Sequence, residues 1–358
     1  MAKQLDGRLA YADLLRVLAS LAVIFIHVCG GAFAAFPAGS AGWDVLNVYD
    51  SLMHWCVPVF IMLSGMFMLD PKKEVTLPSL LLKHLLRILV ALFFWGVLYG
   101  VSDYMLAGNA FSLEGLVAAV KNVLWGNTHY HLWFLYTIAG LYLITPLLRA
   151  FVKGASRSTF HYFFLLIFVL CSVLSLVLRL RPSQTLAFWL RSLYLPELAQ
   201  VGLCYMGCYV AGYYLKTFTL NRVAEFIIYL LGILGAVSTV VGTHYFAVTL
   251  GNPNLPLYEY NAPGVLMMAV AVFVLFRYVI GVSEERGRRK GVGTVAQVSF
   301  GIYLVHDLFL TLLREFGITA ASFPPAISVP LISLGVFAAS FAVAWLISKI
   351  PLVGKYLT

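Results

Sequence analysis

Residues 12–35, ADLLRVLASLAVIFIHVCGGAFAA, decide the fold. A helix needs about 20 apolar residues to cross a hydrocarbon core, and this run supplies them while carrying Arg16 and His27. Ala32 and Ala34 resemble a signal-peptide cleavage site. The run is too long for a signal core, however, and His27 interrupts it, so it reads as a retained helix. Similar runs recur near 50–69, 79–102, 131–150, 160–179, 197–215, 223–247, 264–281, 293–312 and 327–349. The expected fold class is therefore all-α: a polytopic membrane helix bundle of about ten transmembrane helices, forming a single domain over 1–358.

Composition supports this. Of 358 residues, 61% are hydrophobic and 11% charged, against about 45–50% and about 25% in soluble domains. A soluble enzyme, a disordered chain and a disulfide scaffold are excluded. Cys29, Cys56, Cys171, Cys204 and Cys208 fall within apolar runs and read as small buried hydrophobes. The net charge of +9 does not indicate nucleic acid, because the Lys and Arg residues lie mostly in short connections between apolar runs. With the amino terminus cytoplasmic, only Lys121, Arg179, Arg181, Arg191 and Arg314 fall on the outer side. The positive-inside rule thus places both termini in the cytoplasm. Arg179, Arg181 and Arg191 read either as interfacial anchors or as a site for an anionic, lipid-linked acceptor. Within the long outer connection 103–130, residues 113–124 are expected to form a short helix lying on the membrane.

Ionisable groups inside a span are costly and are functional candidates by default. Arg16 and His27 are eleven residues apart, which puts them on one helix face about 16 Å apart along the axis. Arg16 lies near the inner end and His27 at mid-depth or beyond. Pairing of Arg16 with Asp13 is the structural alternative. Lys83 and Arg87, at i, i+4 with His84 beside them, add cations at the inner mouth and suit a phosphate-rich cytoplasmic ligand. Anchoring explains them equally. The run His129-Tyr130-His131-Leu132-Trp133-Phe134 mixes imidazoles with interfacial aromatics. Ser299, Tyr303 and His306 form a polar stripe at i, i+4, i+7, readable as a site or as a hydrogen-bonded seam. Ser64-Gly65 reads as a close-packing pair. No metal signature, phosphate loop or nucleophile elbow is present in the sequence.

These stretches together resemble the acyltransferase-3 family of membrane acyltransferases. Arg16 through His27 looks like its Arg-x10-His motif. Residues 57–65 (VPVFIMLSG), 83–88 (KHLLRI), 130–134 (YHLWF) and 299–306 (SFGIYLVH) agree with further family stretches in order and spacing. The chain is most similar to short sugar O-acetyltransferases acting on enterobacterial common antigen, which lack an appended soluble domain. The resemblance implies ten transmembrane helices and localisation to the inner (plasma) membrane. It implies acetyl-CoA as a cytoplasmic donor substrate, with no permanently bound cofactor and no metal. The acceptor would be a hydroxyl of an extracytoplasmic glycan or lipid-linked saccharide. His27 would be the catalytic base, and Arg16, Lys83 and Arg87 would hold the acyl donor. Ser64, His131, Trp133, Tyr303 and His306 are candidates for oxyanion support or acceptor binding. His84 and Val90 stand where the family more often has Arg and Pro.

The chemistry agrees with that assignment. Coenzyme A is a polyanion on a long thin arm, so cations at the inner mouth and an imidazole further along one face suit thioester delivery. A neutral imidazole is a suitable acceptor for a hydroxyl proton. The competing expectation is transport of a small amino acid such as serine, because related membrane domains are fused to a serine racemase. No such soluble segment follows the last span here, which favours the enzyme. Tyr258-Glu259-Tyr260-Asn261 is a further candidate lining for an acceptor site. Oligomeric state is not legible.

Overall fold

The computed structural model describes residues 9–180, 183, 185, 197–250, 256–280 and 290–358. Among them every regular element is helical. In chain order these are α1 (Ala10–Gly30), α2 (Ala41–Met53), α3 (Cys56–Met68), α4 (Leu77–Leu106), α5 (Leu113–Trp125), α6 (Trp133–Gly154) and α7 (Arg157–Arg179). They continue with α8 (Glu197–Thr217), α9 (Arg222–Leu250), α10 (Pro263–Ile280), α11 (Lys290–Gln297), α12 (Ser299–Glu315), α13 (Pro325–Ile347) and α14 (Val353–Leu357). Arg181 and Arg191 lie outside the described residues.

Local chemistry sets many of the starts. Ser40, Ser112 and Ser156 each accept a backbone N–H from three residues on, at Trp43, Gly115 and Thr159. Asn221 accepts from Ala224 in the same way. Each hydroxyl or amide satisfies a donor that the first helical turn leaves open. Gly126 ends α5 with φ +79°, a left-handed conformation that glycine adopts at little cost.

Among the described residues eight stretches are long and apolar enough to cross a membrane: 10–35, 41–68, 77–106, 113–154, 157–179, 222–249, 263–280 and 325–347. The expected ten are thus matched in part. The span near 197–215 is the helix α8, whose tyrosines, glycines and Gln200 leave it less apolar than those eight. The span near 293–312 is not continuous: α11 and α12 meet at a 71° bend around Val298. The span expected at 50–69 begins earlier and is two helices, α2 and α3, interrupted at His54 and Trp55. Residues 113–125 are helical, as expected, but α5 does not simply lie on a lipid surface. Its Ala119 and Val123 sit against Gly100 and Gly96 of α4, and its Gly115 faces Tyr104, so α5 runs antiparallel along α4.

The chain divides into two compact units, one of residues 1–67 with 155–341, the other of 68–154 with 342–358. In the first, α3 and α8 approach until backbones touch. A Cβ on Gly65 would meet the Tyr209 carbonyl, and one on Gly212 would meet the Met62 carbonyl. Small residues at such crossings let membrane helices gain dispersion contacts that lipid cannot outcompete. In the second unit, Arg149 of α6 donates to the carbonyls of Met68 (2.7 Å), Asp70 (3.0 Å) and Lys73 (2.6 Å). That arginine, an inner-side cation by sequence, caps the end of α3 and holds the following turn.

Candidate active site

In the first unit α1 carries both Arg16 and His27. Arg16 is partly exposed, 3.8 Å from Asp13, with its guanidinium 5.0 Å from the ring centre of Phe67 at the end of α3. Lys216 approaches the same ring to 5.9 Å and its Nζ donates to the Met66 carbonyl at 3.5 Å. One aromatic ring thus gathers two cations, from α1 and α8. Lys216 was not singled out from sequence, because nothing in linear spacing relates it to Arg16.

His27 lies half-buried in the last turn of α1. Its ring stacks on that of His306, with centroids 5.2 Å apart and planes 22° apart. His306 is fully buried, and its Nδ1 lies 2.5 Å from the Tyr303 carbonyl. A carbonyl only accepts, so Nδ1 carries the proton and Nε2 is the acceptor nitrogen of the neutral ring. Tyr303 is buried, with its ring 5.9 Å from that of His306. Ser299 opens α12 just past the bend and donates to the Ala296 carbonyl at 2.9 Å. Thus His27, Tyr303 and His306 come together, whereas the Ser299 hydroxyl helps tie the bend. Asp307 is buried beside His306, accepts from Thr311 at 3.4 Å and lies 3.7 Å from Arg314. Ser64 is half-buried next to the Gly65 crossing.

The second unit holds the other candidates. Lys83 is exposed, and Arg87 is half-buried and donates to the carbonyl of Thr358. The two are four residues apart yet differently placed, because Lys83 falls in a π-helical stretch, Leu80–Leu85, which widens the turn. His84 meets Tyr142 edge-on at 6.2 Å. His131 is buried, with its Nδ1 3.1 Å from Nδ1 of His129, so one ring donates to the other. Tyr99 packs against both imidazoles, and Asp103 lies 3.6 Å from Nε2 of His129. Trp133 is half-buried at the start of α6. A cavity of about 490 Å³ adjoins these groups, with Asp103, Asn122, Asn127, Thr128 and His129 in its wall.

A polar group on α2 escaped the reading of the sequence. Asn47, Asp50, Ser51 and His54, at i, i+3, i+4 and i+7, are all buried on one side of a membrane helix. Tyr258 donates to Asn47 Oδ1 at 2.5 Å, Ser51 donates to the same oxygen at 3.1 Å, and Asn47 Nδ2 donates to the Val240 carbonyl at 3.0 Å. The His54 ring stacks on Tyr258, 4.7 Å between centroids. Burial, and after it the Asp50 carboxylate, hold the Tyr258 phenol well above its usual range, so it stays a donor. Tyr260 is pushed up likewise by burial, then by Cys56, Tyr205, Asp50 and Tyr303 around it. Arg179 is engaged by Glu259 at 2.5 Å, and Asn261 donates to the Cys171 carbonyl at 3.0 Å.

A family model described as an acyltransferase domain, that of the acyltransferase-3 family, matches residues 9–349. That is nearly the whole chain and includes both units, so the chain belongs to the acyltransferase-3 family. It is a multi-pass membrane enzyme that transfers acyl groups other than amino-acyl groups. No curated protein and no solved structure matches it.

Proposed function

We propose that this chain is an inner-membrane O-acetyltransferase with ten crossings and both termini cytoplasmic. It moves an acetyl group from cytoplasmic acetyl-CoA to a hydroxyl of an extracytoplasmic or lipid-linked glycan, as the sugar O-acetyltransferases of the enterobacterial common antigen type do. The observation that carries this reading is the half-buried His27 stacked on His306, at the opposite end of α1 from a cation bound over Phe67. A donor with a charged head and a thin thioester arm matches that layout. Arg16 takes a coenzyme A phosphate, since a guanidinium gives charge-assisted bonds to phosphate oxygens.

His27 accepts the proton of the acceptor hydroxyl as the oxygen attacks the thioester carbonyl. A carbon–oxygen bond forms, the carbon–sulfur bond breaks as the tetrahedral intermediate collapses, and the imidazolium returns its proton to the departing thiolate. Charge on the carbonyl oxygen requires a donor, for which Tyr303 and Ser64 are the candidates in the same unit. The test is purified, lipid-reconstituted protein with radiolabelled acetyl-CoA and a lipid-linked saccharide fraction. Wild type should label the saccharide. His27→Ala, with an unchanged melting temperature, should lose about 10²–10⁴-fold in rate. Full transfer by that variant removes His27 from its role.

A further inference from the structure

The polar face of α2 lies in the unit that holds His27. The Phe25 ring of α1 meets the Tyr49 ring of α2 at 5.8 Å, so the two helices pack together there. Next to Tyr49 in the chain stands a buried carboxyl group, Asp50, 4% exposed. Its Oδ1 is fully buried and has no hydrogen-bond partner among the described residues. His54 Nδ1 is 3.9 Å away and instead gives its proton to the Asp50 backbone carbonyl at 2.7 Å. That bond has a local cause: α2 stops at His54 and Trp55, and the imidazole covers a carbonyl that the interrupted helix leaves open.

An acceptor oxygen left without a donor in the middle of a span is expensive. One turn away on the same face Asn47 is satisfied, bound to Tyr258, Ser51 and the Val240 carbonyl. This face of α2 thus presents an unmet hydrogen-bond acceptor beside aromatic rings, Tyr258 stacked on His54 and Tyr260 5.4 Å from it. A ligand that supplies O–H donors and C–H faces to stack on aromatic rings fits it; that is the chemistry of a saccharide.

We propose that this face of α2, with Tyr258 across from it, is where the acceptor saccharide seats its hydroxyl groups, Asp50 Oδ1 accepting from one of them. The assignment rests on the acetyltransferase reading above for the class of acceptor. Asp50 then fixes the sugar in the unit that holds His27, so that a second hydroxyl can be presented to the imidazole.

The experiment uses the full chain in lipid nanodiscs and reads thermal stabilisation by two probes in turn. One is acetyl-CoA; the other is the p-nitrophenyl glycoside of N-acetylglucosamine, with that of glucose as a companion. Both probes should stabilise the wild type. Asp50→Asn should keep the ligand-free melting temperature and the acetyl-CoA response but bind the glycosides about tenfold or more weakly. If Asp50→Asn does not fold, Tyr258→Phe, which keeps the stacked ring, should weaken the glycosides severalfold. Wild type that ignores both glycosides, or variants that bind them as wild type does, overturns the assignment and leaves Asp50 solvated by a trapped water. A chain that ignores acetyl-CoA yet binds glycosides in an Asp50-dependent way keeps the site and refutes the donor.

Discussion

His306 illustrates how much one residue's geometry constrains the chemistry. Its Nδ1 is committed to a backbone carbonyl, so its ring presents a fixed face and tautomer to His27. His306→Phe retains a stacking ring without nitrogens. We expect that variant to fold with a melting temperature near wild type and to transfer acetyl groups about ten- to a hundredfold more slowly. Unchanged turnover would reduce His306 to packing. Tyr258 allows a prediction with a definite sign. Its phenol pKa is raised, so it stays protonated well past the ordinary value of about 10. The alkaline limb of the pH–rate profile below about pH 9 should therefore be the same in wild type and Tyr258→Phe. A limb that disappears in the variant contradicts the raised value.

At the scale of elements, two features decide what holds the site. The α3–α8 crossing leaves no room at Gly65 or Gly212, and the obstructing atoms are backbone carbonyls that cannot swing aside. Gly65→Ala should lower stability by about 1–3 kcal/mol, the usual cost of overpacking, read as a fall in melting temperature in nanodiscs. Arg149→Met removes three donors from the turn after α3 and should cost about 1–3 kcal/mol, a single charged hydrogen bond's worth given its partial exposure. Much of this architecture was legible beforehand. Arg16 and His27 shared a face by arithmetic alone, and the stripe Ser299, Tyr303, His306 is indeed buried. The Asn47–His54 stripe has the same spacing logic, but a span begun at residue 50 cut it off at its first turn. The π-helical stretch under Lys83 and the bend at Val298 have no compositional mark, because neither contains a proline. The pairing of Arg16 with Lys216 over Phe67 needs three helices at once, which no local pattern encodes.

At the scale of the molecule, one family match runs through both compact units, so neither unit alone accounts for the enzyme. The topology proposal has its own check. Single cysteines introduced at Lys72 and at Lys153 should react with a membrane-impermeant maleimide only after the cytoplasmic face is opened, and one at Asn109 without opening. The reverse pattern would invert the donor side.

The length of α4 has a consequence of a different kind. Its 30 residues make about 45 Å of helix, against about 30 Å of hydrocarbon. Tilting absorbs some of the excess and the remainder must stand among the lipid headgroups, with α5 folded back along it. The polar hollow of Asp103, Asn122 and His129 is thereby held at a height that the surrounding lipid sets. Thicker bilayers should submerge it. In vesicles of increasing acyl-chain length, turnover should fall beyond an optimum, and a flat dependence would mean that this hollow takes no part in the reaction.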